Sequence, residues 1–222
     1  IDAPPALPPV ARLLLAHGAG APMTSPFMGT IAQLLAARGL EVLRFEFSYM
    51  AARRDGGKRR PPPKAETLAD EYRAAVAAAT ERQAARPSTP LLIGGKSMGG
   101  RVASLVADAL HDKGHIAGLV CLGYPFHPTA KPEQLRTAHL QTLTTPALIV
   151  QGERDPFGSR DEIDGYSLSP RIAFHWAGDG DHDHHHQVHL LARGGGLDRR
   201  RAHEEREEQV RGDDAVGQRR AE

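Results

Sequence analysis

The stretch PLLIGGKSMGG, residues 90–100, decides the fold, because an apolar run passes through a glycine-rich turn into a helical period. Its centre, Gly95-Lys96-Ser97-Met98-Gly99, matches the pattern G-x-S-x-G. Such glycines allow a tight turn whose neighbouring chain segments pass very close together, and the turn lifts the serine hydroxyl out of the sheet. The alternative is a glycine-rich turn whose serine only caps the helix. A phosphate-binding P-loop is excluded by spacing, since no glycine stands five residues before Gly95.

Apolar runs like the one before this turn recur along the chain, and each is bounded by glycine or proline, as buried strands are. They read ARLLLAHG, EVLRFEF, PLLIGG, IAGLVCLG, TPALIVQG and RIAFHWAG. Helical periods lie between them, one of them opened by Ser25-Pro26 and another ended by Gly114. This alternation predicts an α/β fold with a mostly parallel sheet of about six strands and helices on both faces.

The loops after the predicted strands supply the groups that a serine nucleophile needs, a base and an acid that orients it. Asp155 follows TPALIVQG, and His182 follows RIAFHWAG. The chain order Ser, Asp, His is the one expected in sheets with this elbow. Carboxyl ends of parallel strands share one edge of the sheet. We therefore predict Ser97 as nucleophile, Asp155 as acid and His182 as base, with the amide of Met98 stabilising an oxyanion.

Six segments together resemble the α/β-hydrolases, and more narrowly a small family related to dienelactone hydrolases. Animal relatives of that family include a testis-expressed protein and a subunit of a histone-acetyltransferase complex. The segments read LLLAHGAGAPMTSPFM, RFEFSYMAARR, GGKSMGGR, CLGYPFHP, TPALIVQGERDPFG and GDGDHD. The resemblance implies the same roles for Ser97, Asp155 and His182, and it implies oxyanion donors in the backbone amides of Met98 and Ala19. Ser48 stands where the family has proline, in a loop.

Three further side chains are predicted to contact substrate, namely His17, Arg53 and Arg54. The two arginines open the basic stretch ARRDGGKRRPPPK, which is either a solvated loop or a site for an anionic group. Lys96 is expected to point to solvent or to a neighbouring carboxylate. Only about twenty residues separate CLGYP from TPALI, with one short helix expected over residues 131–139. The site should therefore have no large lid domain.

The segment DGDHDHHHQVH, residues 179–189, holds five histidines and can be interpreted as a metal site, a tag or the place of one catalytic histidine. His185 and His189 imitate metalloprotease spacing, but His186 stands where the glutamate base would be, so we predict no functional metal. From Arg193 onward the chain is rich in charge and poor in large apolar residues. We expect a hydrolase domain over residues 1–183 and an aberrant polar tail over residues 184–222, disordered or produced by a frameshift.

Composition bounds the remaining expectations. The chain has 222 residues and a formal net charge of +1, which suits one globular domain and gives no general case for nucleic acid or membrane as a partner. Cys121 is the single cysteine, so no internal disulfide can form. The sequence begins with Ile1 rather than Met, as an incomplete N-terminus would. No signal peptide is recognisable, which favours the cytoplasm, and no cofactor is expected.

Two classes of function remain. The first is a serine hydrolase that cleaves an ester, thioester or lactone through an acyl-enzyme, with a small acyl compound as its partner. The second is a non-catalytic binding or scaffold module built on a hydrolase fold, because a fold does not dictate its function. The sequence indicates neither the substrate nor the oligomeric state.

Overall fold

The computed structural model describes residues 1–3, 8–54, 56, 61–82, 89–178 and 180–182. Its six strands are all parallel and form one sheet in the order β2-β1-β3-β4-β5-β6. The strands are β1 (Ala11–Ala16), β2 (Leu40–Phe45), β3 (Leu91–Lys96), β4 (Gly118–Leu122), β5 (Ala147–Gly152) and β6 (Ile172–Ala177). Four lie within the apolar runs of the sequence, and β2 and β3 each extend one residue beyond theirs, to Leu40 and Lys96, so the predicted α/β fold is confirmed.

Among the described residues, five α-helices connect the strands. They are α1 (Pro26–Ala36), α2 (Ser48–Arg54), α3 (Ala69–Arg82), α4 (Met98–Asp112) and α5 (Arg160–Ile163). Helix α1 begins at proline, as Ser25-Pro26 predicted, although the Ser25 side chain makes no capping hydrogen bond. Gly114 follows α4 with φ +70°, a left-handed conformation that ends helices and that glycine adopts without strain. No helix of the described residues is long and apolar enough to cross a membrane.

Side chains that alternate along the strands divide the core between the two faces of the sheet. On one face, α3 and α4 pack over a single apolar cluster that contains Leu14, Ile93 and Cys121. Helix α1 packs beside β2, and its buried Met28 and Ile31 stand outside that cluster. The strand order thus carries α1 and α4 to opposite faces, as right-handed crossovers require.

The strand order also indicates where a ligand is expected to bind. The chain leaves β1 toward β2 on one side and then returns to place β3 on the other side of β1. In open α/β sheets, ligands bind outside the carboxyl ends of the strands where this reversal occurs. In this protein the reversal occurs at β1, so the segment after β1, which holds Ala19, and the turn after β3, which holds Ser97, flank the expected position.

Tyr72 on α3 braces the middle of the sheet just before that turn. Its side chain is fully buried, and its hydroxyl accepts a hydrogen bond from the Gly94 amide at 2.9 Å. The same hydroxyl lies 2.7 Å from the Gly94 carbonyl and 3.1 Å from the Leu14 carbonyl, either of which can accept its proton. The Tyr72 hydroxyl thus provides a hydrogen-bond partner for main-chain groups of β1 and β3. Burying those groups without a partner would destabilise the folded protein.

Candidate active site

Ser97 occupies the turn between β3 and α4 in a strained conformation. Its backbone has φ 49° and ψ −116°, and no other non-glycine residue of the described chain has a positive φ. Such sparsely populated backbone conformations cost on the order of 1–3 kcal/mol and cluster at functional sites. The hydroxyl makes no capping hydrogen bond to α4. A helix-capping serine is therefore excluded, and the predicted strand–turn–helix elbow is present.

Gly95 and Gly99 permit this turn for a steric reason. A β-carbon built on Gly95 would lie 2.5 Å from the carbonyl carbon of Gly99. One built on Gly99 would lie 2.5 Å from the carbonyl oxygen of His17. Both distances are far below van der Waals contact, and both neighbours are backbone atoms. The close passage predicted from the G-x-S-x-G pattern is confirmed, and it brings the segment after β1 against the elbow.

The loops after β5 and β6 are joined by their main chains. The Arg154 amide donates to the Gly180 carbonyl at 3.1 Å. A β-carbon on Gly152, the last residue of β5, would lie 2.5 Å from that same oxygen. The two loops can pack this tightly because a glycine stands on each side. This contact fixes the position of the loop that carries Asp155 relative to the loop that carries His182.

A continuous chain of hydrogen bonds connects Ser97, His182 and Asp155. Nε2 of His182 lies 2.9 Å from the Ser97 hydroxyl, and Nδ1 lies 2.9 Å from Oδ2 of Asp155. An ionised carboxylate only accepts hydrogen bonds, so Nδ1–H donates to it and Nε2 is left to accept the serine proton. The structure thus brings together three side chains from three different strand ends, in the arrangement of a nucleophile, a base and an orienting acid.

The surroundings of Asp155 and His182 restrict their motion. Asp155 is fully buried, and the Phe157 amide donates to its Oδ1 at 2.9 Å. The Phe157 ring also packs on the imidazole of His182, with ring centroids 4.2 Å apart. The imidazole remains 16% exposed at its side chain, so solvent or a ligand can reach it. The acid is held inside the protein while the base stands at its surface.

Two segments supply candidate oxyanion donors. Met98 is the first residue of α4, so its amide has no acceptor within the helix and lies at the positive end of the helix dipole. Ala19 follows β1, and its neighbour Gly18 is so close to the elbow that a β-carbon there would lie 3.7 Å from Cβ of Ser97. Both predicted donors therefore flank the nucleophile.

Tyr49 holds the segment after β1 and was not predicted from the sequence. Its hydroxyl donates to the Ala19 carbonyl at 3.1 Å. Burial raises the pKa of this phenol to about 12, so the hydroxyl remains a donor at neutral pH. Its only signal in the sequence was its place in RFEFSYMAARR, one of the segments that carry the family resemblance, and the role of the tyrosine becomes visible only through this tertiary contact.

His17 requires a correction. Its side chain is fully buried, Nδ1 lies 2.6 Å from the Gly18 carbonyl, and Nε2 accepts the Phe47 amide at 3.1 Å. Burial lowers the pKa of the imidazole, which favours the neutral ring that these two bonds need. Both ring nitrogens are engaged with backbone, so the predicted substrate contact of His17 was wrong. The side chain instead ties the loops after β1 and β2 together.

The two candidate arginines differ in their surroundings. Arg54 forms an ion pair with Glu46 at 2.6 Å and keeps 53% of its side chain exposed. The guanidinium of Arg53 lies 5.2 Å from the centre of the Tyr49 ring, an arrangement that favours a cation. Arg53 thus lies against the tyrosine whose hydroxyl donates to the Ala19 carbonyl. Three of the four other basic residues of this stretch, Lys58, Arg59 and Arg60, lie outside the described residues.

One other expectation is corrected. The helix expected over residues 131–139 does not form, and the segment has only turns and a 3-10 helix, Ala138–Leu140. The ammonium of Lys96 donates a hydrogen bond to the main-chain carbonyl of His182, a partner that the sequence did not indicate. The connection between β4 and β5 contains no large lid domain. The histidine run after His182 and the tail lie outside the described residues.

Comparisons with known proteins agree with this geometry. A family model described as an alpha/beta hydrolase domain matches residues 9–194. An α/β serine hydrolase homologue from Coxiella burnetii has a TM-score of 0.64 at 18% identity, covering 86% of this chain and 88% of its own. A Xanthomonas campestris protein, described as an α/β serine hydrolase without a lid, gives 0.65 at 19% identity, with 87% and 85% covered.

An esterase domain from Rhodothermus marinus gives a TM-score of 0.58 at 19% identity, with 90% of each chain covered. At these identities the structural neighbours show the fold, whereas the family model matches most of the sequence. The described residues contain the parallel sheet and the serine elbow that such a match requires. The chain belongs to the alpha/beta hydrolase domain family.

Proposed function

We propose that this protein is a serine hydrolase that cleaves a carboxylic ester, thioester or lactone through an acyl-enzyme. The observation that carries the proposal is the hydrogen-bonded series Ser97, His182, Asp155 at the carboxyl edge of the sheet. A small-molecule acyl compound is the proposed partner, with no cofactor, nucleic acid or membrane, and the cytoplasm is the proposed location. Within the family, the six segments compared above support a place beside the dienelactone-hydrolase-related members.

The proposed reaction begins at the Ser97 hydroxyl. Nε2 of His182 takes its proton as Oγ attacks the carbonyl carbon, and the imidazolium that forms is stabilised by the buried carboxylate of Asp155. The carbonyl oxygen becomes an oxyanion, which the amides of Met98 and Ala19 would bind. His182 then returns the proton to the leaving oxygen or sulfur. Water, activated by the same imidazole, attacks the acyl-enzyme and releases the acid.

The exposure of Ser97 and His182 supports an ester, thioester or lactone as the class of substrate. Half-exposed Ser97 and the partly exposed imidazole of His182 stand at the surface, and no described element forms a lid domain over them. An open site can admit an acyl group attached to a bulky leaving group. The esterase name of the Rhodothermus marinus neighbour supports an ester as the first class to test.

Covalent labelling tests the proposal. A fluorophosphonate probe is attacked by an activated serine hydroxyl and loses fluoride, so we expect one probe per chain on Ser97, located by peptide mass spectrometry. Ser97→Ala is the matched control. Cys121 offers no competing nucleophile, because it is buried and its burial raises the pKa of the thiol. Folded wild-type protein that is not labelled at Ser97 would support the scaffold function instead.

We further propose that Arg53, rather than Arg54, contacts an anionic part of the substrate. Arg53→Ala is expected to raise KM for an ester with a carboxylate in its acyl group by about 1.4- to 5-fold, as partly exposed charge pairs contribute roughly 0.2–1 kcal/mol. A neutral ester of the same size should keep its KM. Arg54→Ala is the control, since Arg54 is engaged with Glu46. Equal changes for neutral and anionic esters would contradict the proposal.

Residues 184–222 are proposed to be a polar tail that adds little to the stability of the hydrolase domain. The family match ends at residue 194, and the sequence beyond it has few large apolar residues. Leu148 on β5 remains 38% exposed, on the face opposite α3 and α4, so the described residues do not fully cover this part of the sheet. Hydrogen exchange over the tail measures its order, and strong protection there would contradict this proposal.

A further inference from the structure

Main-chain hydrogen bonds tie the described part of the loop that carries His182 back to β6 and to the loop after β5. It leaves β6 after Ala177, and the Gly180 amide turns back to the Ala177 carbonyl at 3.1 Å. The Gly180 carbonyl then accepts the Arg154 amide. These bonds fix the loop two residues before the base. The imidazole itself is held through its ring by Asp155 and Ser97, and the main-chain carbonyl of His182 accepts a hydrogen bond from a further group.

Lys96 supplies that group from the nucleophile's own strand. It is the last residue of β3 and directly precedes Ser97, and its ammonium donates a hydrogen bond to the main-chain carbonyl of His182, 86 residues away in sequence. Hydrogen bonds from a charged donor are stronger than those between neutral groups. One side chain therefore joins the backbone of the nucleophile to the backbone of the base.

The stem and the head of Lys96 are both packed. A β-carbon on Gly18 would lie 3.5 Å from Cγ of Lys96, so the aliphatic stem runs along the segment that precedes Ala19. The ammonium lies 5.3 Å from the centre of the Phe27 ring on α1, a favourable position for a cation. The side chain is half-buried, and these contacts restrict the direction in which it can reach.

We propose that Lys96 is a positioning residue that holds the main chain of His182 so that Nε2 stays within reach of the Ser97 hydroxyl. It contacts neither the substrate nor the reacting atoms. This inference rests on the proposed hydrolase function, since a base must be placed only where there is a proton to take. Misplacing a catalytic group by about 1 Å can cost on the order of 10²-fold in rate.

The test replaces Lys96 by cysteine and then restores the charge. Lys96→Cys is expected to lower kcat for a p-nitrophenyl ester by about 10- to 100-fold with KM nearly unchanged, because the ester does not touch this side chain. Alkylation with 2-bromoethylamine converts the cysteine into an aminoethyl thioether with the length and charge of lysine, and kcat should recover. Alkylation with iodoacetamide adds a neutral group and should not restore it.

Controls separate positioning from general damage. Wild type and Lys131→Cys, at an exposed lysine, receive the same reagents and should keep their kcat. Cys121 is buried and should not react under native conditions. A KM that rises while kcat is retained would assign Lys96 to substrate binding and overturn the proposal. Failure of the aminoethyl group to restore kcat, with the wild-type melting temperature kept, would overturn it as well.

A second readout does not need turnover. Deuterium uptake over residues 180–182 should rise in Lys96→Met and stay near the wild-type level in Lys96→Arg, since arginine can also donate to the His182 carbonyl. Equal uptake in all three proteins would show that Lys96 does not hold the loop. An inactive wild type would refute the hydrolase function, and the uptake would still decide whether Lys96 fixes the main chain of His182.

Discussion

Replacing Ser97 by alanine, Asp155 by asparagine or His182 by alanine is expected to lower kcat by about 10³-fold or more in each case. The hydrogen bonds of 2.9 Å on both sides of the imidazole make the three side chains one unit, in which each supports the same proton transfer. Without Ser97 there is no attacking oxygen. Without the Asp155 carboxylate, the imidazole of His182 can carry its proton on Nε2, which then cannot accept the proton of Ser97. Steady-state kinetics with a short-chain p-nitrophenyl ester measures all three losses.

Combined replacements provide the sharper measurement. Because members of such a unit act together, the double variants should lose little more than the worst single variant. Losses that multiply instead would show that the residues act independently, and the triad assignment would then be wrong. Melting temperatures should accompany the kinetics, since Asp155 is fully buried and its replacement also disturbs the packing around Phe157.

Gly94→Ala is expected to lower the free energy of unfolding by more than about 3 kcal/mol. Losses of this size result from severe overpacking. A β-carbon there would lie 1.9 Å from the carbonyl oxygen of Val120 and 2.9 Å from its carbonyl carbon. Val120 is the register partner of Gly94 on β4, so the strands can separate only by breaking ladder bonds. The Gly94 amide and carbonyl are also bonded to the Tyr72 hydroxyl, which opposes any shift of β3.

Urea unfolding of wild type and variant measures this loss, with Gly20→Ala as the matched control. A β-carbon on Gly20 would meet no heavy atom within 4 Å, and Gly20 has no positive φ. That substitution should change stability by less than about 1 kcal/mol. If Gly94→Ala unfolds at the wild-type urea concentration, β3 and β4 are farther apart than described. Failure of the variant to fold at all agrees with the prediction.

The sequence predicted the parts of this molecule that depend on local pattern. Apolar runs bounded by glycine marked the strands, and the glycines flanking Ser97 predicted an elbow, because only residues without a side chain allow that approach. The positions of Asp155 and His182 followed from the rule that parallel strands end at one edge. Each of these inferences uses neighbours in the chain or the order of strands.

Contacts between distant segments could not be predicted in this way. Lys96 and His182 meet only after β3 and β6 have taken their places in the sheet. The burial of His17 likewise depends on where Phe47 returns after β2. Residues 131–139 fail to form a helix because the chain is held from outside: the Arg136 amide donates to Phe126 and its carbonyl accepts the Tyr124 hydroxyl. Such tertiary hydrogen bonds replace those that a helix would form, and the periodicity of the local sequence does not reveal them.

The strand order has a consequence for how the protein loses activity. The nucleophile leaves the central strand β3, which has a neighbour on each side, whereas the base follows β6, which has a described neighbour only in β5. Edge strands open at lower free energy than the centre of a sheet. Partial opening of β6 would therefore carry the imidazole away while the elbow remained folded. Inactivation by heat or denaturant would then precede the loss of the sheet, and removing the stress would restore activity without refolding the core.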